Sequence, residues 1–85
     1  MDQSGATYRA DLVVTVRGER LTAACAQRGW SYAELARQAH VSQPTIMAAL
    51  HGHTIRPMTA WKIARALSLE EAPKVLTDLV GPAAA

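Results

Sequence analysis

The chain has 85 residues, a length that fits one domain with a small core. Hydrophobic residues make up 49% of it and charged residues 19%, which is a globular composition, and no apolar run is long enough to span a membrane. The single cysteine can form no internal disulfide, and no signal-peptide pattern opens the chain. These features argue against secreted and membrane proteins, and a cytoplasmic location is expected.

The formal net charge of +2 is unevenly distributed. The segment 17–65 contains seven basic and two acidic residues, whereas the segments on either side are net acidic. Positive charge concentrated in this way favours a polyanionic partner. A solvated basic face is the simpler alternative.

The first predicted element is a short strand over 11–16. Leu12, Val14 and Val16 alternate with more polar positions, which is the period of a strand with one buried face. No second strand of comparable strength follows, so its backbone groups lack a partner in one chain. We therefore expect antiparallel pairing with the same strand of a second copy, with these three residues at the dimer interface. An extension of the first helix or an unpaired arm are the alternatives. Residues 1–10 are expected to be disordered.

Five helices are predicted after the strand, from capping residues and from apolar positions three or four residues apart. They span 18–28, 32–39, 43–51, 59–67 and, from a start between 68 and 73, to about 80. Gly29 and Gly52 end the first and third helices, and Ser31 forms a capping box with Glu34 at the second. The segment 53–58 is expected to be a loop, and 81–85 a tail.

The stretch 31–52 carries the most specific pattern. Ala36 is small enough for one helix to cross another closely, and Val41 and Ile46 follow at intervals of five residues to fill the angle between the two helices. This spacing predicts a helix-turn-helix, whose second helix can enter the major groove of DNA. A generic helical bundle with coincidental spacing is the alternative.

Several segments resemble the Cro and phage-repressor class of helix-turn-helix proteins, the XRE family. They read SYAELA at 31–36, VSQPTI at 41–46, RP at 56–57 and KIARAL at 62–67. The resemblance covers about 17–80 and implies an all-α fold of five helices, here after a short N-terminal β-strand, in a single domain over 11–80. It implies a transcriptional regulator, most simply a repressor of the Cro-like or mobile-element type, which binds a palindromic double-stranded DNA operator as a homodimer.

The resemblance also implies roles by position. The third helix, 43–51, would read bases with Gln43, Pro44, Thr45, Met47 and Ala48. Phosphates would be contacted by Tyr32, Ser42, Arg56 and Arg37. An amide such as that of Gln43 can pair with adenine, while apolar side chains meet thymine methyl groups. Thr45 may be read either as a base contact or as a first-turn helix residue, and Arg37 is otherwise a solvated arginine.

The sequence departs from the family pattern in three places. His40 occupies a turn position usually filled by glycine, where a positive φ is needed. Cys25 and Leu50 replace a buried ion pair of the family with two apolar residues. Gln43 precedes a proline, which disfavours helical backbone there and argues for a third helix that begins one residue later.

No arrangement typical of catalysis is present, so no enzymatic activity, cofactor, metal or small-molecule ligand is expected. His40, His51 and His53 lack the spacing of a metal site, and Cys25 lies at a core position rather than beside a base. Trp61 is expected either to pack on the last helix or to contact a second subunit.

Two other functions fit the same sequence features. The same domain could act as an antitoxin that neutralises a toxin through its last helix and tail. Alternatively, it could be a protein-interaction module without DNA binding. In 85 residues we expect no additional sensing domain.

Overall fold

The computed structural model describes residues 13–80. The predicted disordered segment 1–10, Leu12 and the tail 81–85 lie outside the described residues. The elements in chain order are β1 (Val14–Thr15), α1 (Gly18–Arg28), α2 (Tyr32–Ala39), α3 (Gln43–Leu50), β2 (Thr54–Ile55), α4 (Pro57–Leu67) and α5 (Ala72–Val80). The predicted fold class, five helices after a short N-terminal strand, is confirmed.

The first two helices begin and end at the predicted signals. Gly29 has φ 69° and ends α1 in the left-handed conformation that favours glycine. The Ser31 hydroxyl accepts the N–H of Glu34 at 3.0 Å and caps α2. Only this half of the predicted capping box forms, because the Glu34 carboxylate accepts bonds from Arg37 and Gln38 instead.

The third helix begins at Gln43, so the argument for a later start is wrong. The reason is that Ser42 caps the helix, which places Pro44 in the first turn, where a missing N–H breaks no helical hydrogen bond. The helix ends at Leu50, one residue before the predicted end.

The expectation that no partner strand exists in the chain is also wrong. The predicted loop 53–58 contains β2, which pairs antiparallel with β1, Val14 opposite Ile55 and Thr15 opposite Thr54. Two residues are too few for an alternating pattern to be visible in the sequence. The strand therefore does not require a second copy to satisfy its backbone. The fourth helix begins at Pro57 rather than two residues later, because proline suits the first helical position.

Every helix contributes one large, fully buried aliphatic residue to a single core. These are Leu21, Leu35, Ile46, Ile63 and Leu79. Val16 and Cys25, each 2% exposed, lie in the same cluster, as the sequence predicts for Cys25. Burial raises the pKa of the Cys25 thiol, while the nearby Arg28 lowers it to a smaller extent. The thiol therefore behaves as a small apolar core group.

Long-range hydrogen bonds fix the outer helices on this core. The N–H of Arg17 donates to the Leu79 carbonyl at 2.8 Å, so the start of α1 is held against α5. The Arg28 guanidinium donates to the Leu67 carbonyl at 2.8 Å and to the Ala24 carbonyl at 3.0 Å, which joins the ends of α1 and α4. Within residues 13–80, no helix has the length and apolar content needed to cross a membrane.

Candidate nucleic-acid interface

The connection between α2 and α3 has the geometry of a helix-turn-helix. His40 adopts φ 61°, as expected for a turn position usually held by glycine. The N–H of Val41 then donates to the Ala36 carbonyl at 3.0 Å. Ala36 is 5% exposed and Ile46 is fully buried, both in the core cluster, and Val41 is half-buried and packs against that cluster. The three residues that define the motif thus occupy the angle between the two helices.

The outer face of α3 presents the predicted base-contacting residues. Ile46 and Ala49 are buried, whereas Gln43 and Pro44 are exposed. Thr45, Met47 and Ala48 are half-buried. The helix sequence QPTIMAAL contains no charged residue, so this face offers one amide and a set of apolar groups. Attraction to a polyanion has to come from other elements.

Ser42 and Thr45 form the N-terminal cap of α3. The Ser42 hydroxyl accepts the N–H of Thr45 at 3.3 Å, and the two side-chain oxygens lie 2.7 Å apart. The Thr45 hydroxyl is thus engaged at the cap, which favours its role as a first-turn helix residue. Ser42 remains exposed at the positive end of the helix dipole, which attracts anions.

Tyr32 opens α2 and packs its ring against the core cluster. Its phenol oxygen lies 3.1 Å from the hydroxyl oxygen of Thr22 on α1, and either group can be the donor. When Thr22 donates, the phenol proton is available to another acceptor. No local pattern in the sequence points to Thr22, because it lies ten positions from Tyr32.

The two arginines predicted to contact phosphate have different surroundings. Arg56 is exposed at the start of α4, next to β2, and has no ion pair among residues 13–80. Arg37 forms an ion pair with Glu34, which also accepts a bond from Gln38 at 2.7 Å. The Gln38 and Arg37 bonds together lower the pKa of Glu34, so the carboxylate stays charged and holds Arg37.

Internal partners reduce the positive charge that the segment 17–65 offers to a ligand. Arg20 pairs with Asp78 at 2.9 Å, Arg37 pairs with Glu34, and Arg28 is directed at backbone carbonyls. The remaining basic side chains of the segment, without an ion pair among residues 13–80, are Arg17, Arg56, Lys62 and Arg65. In the described part of the chain, no group of three or more His, Cys, Asp or Glu is placed to hold a metal ion.

A helix-turn-helix family model matches residues 21–72, which is more than half of the chain. The chain belongs to the XRE and Cro type of helix-turn-helix proteins. This family consists of DNA-binding transcription regulators and is generally non-enzymatic. The match to the family model begins in α1 and ends at the start of α5, so β1 lies outside it. Comparisons with curated proteins and with solved structures gave no match.

Proposed function

We propose that this helix-turn-helix protein is a transcriptional repressor that binds a palindromic operator as a homodimer, with α3 and His51 in the major groove. The observation that carries the proposal is the exposed, uncharged face of α3, which follows α2 across the short turn at 40–42. An uncharged face suits contact with base edges, because it brings no ion into the groove that must lose its hydration.

Gln43 is the main base-reading residue in this proposal. It is exposed in the first turn of α3, the end of a recognition helix that meets base edges in this class. Pro44, Met47 and Ala48 supply apolar contact to thymine methyl groups. Thr45 has a secondary role, since its hydroxyl already bonds Ser42.

Phosphate contacts would come from groups around α3 rather than from α3 itself. The Tyr32 phenol can donate to a phosphate while it accepts from Thr22. Ser42 lies at the positive end of α3, and Arg56, which has no ion pair among residues 13–80, provides a charge beyond the other end. Arg37 contributes less, because Glu34 neutralises part of its charge.

The proposed homodimer matches the proposed palindrome, since each subunit would bind one half of it. Two recognition helices spaced about 34–36 Å apart reach successive major grooves on one face of DNA. Since β1 has its partner in the same chain, we assign the subunit contact to α4. Trp61 there is half-buried and, within residues 13–80, is not among the side chains packed against the core. The domain of this proposal is 11–80, and a DNA partner fits a nucleoid-associated, cytoplasmic location.

Selection of binding sites from random duplexes tests the proposal with the full chain. We expect enrichment of an inverted repeat, and an affinity for it whose logarithm falls linearly with the logarithm of salt concentration. Selected duplexes without symmetry would contradict the homodimer. No salt-dependent binding to any duplex would overturn DNA binding and favour a protein-interaction module.

A further inference from the structure

Gly18, the first residue of α1, lies against the C-terminal end of α3. A β-carbon placed on Gly18 would overlap the carbonyl oxygen of Leu50 and lie 3.4 Å from its carbonyl carbon. The positive-φ glycines among residues 13–80 are Gly29 and Gly52, so Gly18 has ordinary backbone geometry. Glycine is therefore needed at position 18 for space and not for conformation.

Neither side of this contact can move easily. The N–H groups of residues 51–53 donate to the carbonyls of residues 47–49 at 3.0 to 3.1 Å, which fixes the backbone around Leu50. On the other side, the N–H of Arg17 is bound to Leu79, and β1, three residues before Gly18, is paired with β2. An added methyl group would meet a backbone atom of a closed turn rather than a flexible side chain.

We propose that Gly18 is a positioning residue for base recognition: its missing side chain sets where the C-terminal half of α3 lies. Met47 and Ala48 are within one turn of Leu50, so a shift of this end changes which base edges they reach. Gln43 lies at the other end of the helix and is affected less. This inference rests on the proposed DNA-binding function.

Helix propensity alone predicts the opposite effect of a substitution. Alanine is a better helix former than glycine, so Gly18→Ala would be neutral or stabilising if the space were open. The overlap with Leu50 reverses this expectation. In Gly18→Ala, the backbone of α1 or of α3 therefore has to move to relieve the overlap.

The first measurement uses the DNA-free protein and compares Gly18→Ala with Gly29→Ala. Gly29 has φ 69° and nothing within 4 Å of an added β-carbon, so its substitution strains the far end of α1 without touching α3. We expect amide NMR shifts of residues 47–53 to change in Gly18→Ala and to stay in place in Gly29→Ala. Unchanged shifts in Gly18→Ala, or equal changes in both variants, would overturn the proposal.

A second pair of variants covers the case in which Gly18→Ala does not fold. Arg17 has φ −77°, which proline adopts, so Arg17→Pro removes the N–H that holds α1 against Leu79 without adding atoms beside Leu50. Arg17→Ala keeps that N–H and is the control for lost charge. The amides of 47–53 should shift in Arg17→Pro relative to Arg17→Ala, and identical spectra in this region would contradict the proposal.

The second measurement is binding to the selected operator and to duplexes with single base-pair changes. In Gly18→Ala we expect discrimination to fall about tenfold at the base pairs next to Met47 and Ala48, within the range of one lost base contact, and to persist at the pair read by Gln43. Gly29→Ala should leave discrimination unchanged at both sets of base pairs. An equal loss of affinity for the operator and for every changed duplex would show an effect on stability alone and would contradict the proposal. If the unchanged protein selects no site, the proposed function fails, while the amide shifts still decide whether Gly18 positions α3.

Discussion

Gln43 is the one amide side chain on α3 and is exposed in its first turn. An amide can donate to one atom of adenine and accept from another in the major groove. We predict that Gln43→Ala lowers discrimination at one base pair by about 1–3 kcal/mol and leaves affinity for random DNA nearly unchanged. Fluorescence anisotropy with the selected operator and its single-pair variants measures both quantities.

Gln38→Ala is the matched control, because it makes the same chemical change on α2, where the amide bonds Glu34. This variant should retain the discrimination of the unchanged protein. If Gln43→Ala weakened binding to specific and random DNA equally, the base-reading role of Gln43 would be wrong.

Arg56 and Arg37 differ in whether their charge is already matched within the protein. Arg56 has no ion pair among residues 13–80, whereas Arg37 is held by Glu34. We predict that Arg56→Ala weakens binding to all sequences and reduces the slope of log affinity against log salt by about 1. Arg37→Ala should change the slope less, because Glu34 already neutralises part of the Arg37 charge and the pair releases fewer counterions from the DNA. Equal slopes for the two variants would contradict this assignment.

At the scale of the elements, Arg28 and Arg20 both join α1 to a later helix, in different surroundings. Arg28 donates to two carbonyls in a partly buried position, and its removal leaves the Leu67 carbonyl without this donor. The Arg20–Asp78 pair is open to solvent, with side chains 48% and 55% exposed. Solvent screening makes an exposed pair weak, whereas lost bonds from a charged group to a buried acceptor cost more.

We therefore predict that Arg28→Ala lowers the free energy of unfolding by about 1.5–3 kcal/mol. Arg20→Ala, the matched control on the same helix, should lower it by less than about 1 kcal/mol. Urea unfolding followed by circular dichroism gives both values. A larger effect of Arg20→Ala would show that the Leu67 bond does not hold α4.

The helices of this fold are encoded locally and could be predicted from the sequence. Ser31 marks the start of a helix through its side-chain cap, and Gly29 and Gly52 mark helix ends through their positive φ, so the chain shows these boundaries without its tertiary structure. The start of α4 had a local signal too, since Pro57 suits a first helical position. The loop predicted over 53–58 is wrong at Pro57, which is the first residue of the helix.

The features that the sequence analysis missed depend on contacts between distant segments. The strand β2 exists because β1, about 40 residues earlier, lies beside it, and two residues carry no periodic pattern. The same holds for the Thr22 partner of Tyr32 and for the contact of Gly18 with Leu50. The candidate site was predictable as a set of residues on one helix face. The ion pair of Arg37 with Glu34 and the bond of Thr45 to Ser42 were not predictable, because each depends on the side-chain rotamers of both partners.

At the scale of the whole molecule, residues 14–17 are integrated into the folded domain, since β1 pairs with β2 of the same chain. Val16 is 2% exposed in the core, and Arg17 bonds α5 through its N–H. Removal of residues 1–16 would delete a core side chain and β1 together, so a loss of dimer after truncation would only report unfolding. A point substitution on the surface is the sharper test of the subunit contact.

Trp61 and Met58 lie one turn apart on α4, which places them on the same side of the helix. Met58 is 62% exposed and Trp61 half-buried, and an aromatic residue beside an exposed methionine is typical of the centre of an interface. We predict that Trp61→Ala lowers the mass in sedimentation equilibrium from twice 9.1 kDa to 9.1 kDa. Binding should then fall steeply on the full palindrome and little on a single half-site, because only the former depends on two linked subunits.

Leu69→Ala is the matched control, an exposed apolar residue beyond the end of α4, and should leave both mass and operator binding unchanged. A Trp61→Ala protein that stays dimeric, with its core intact by circular dichroism, would exclude this face of α4 as the contact.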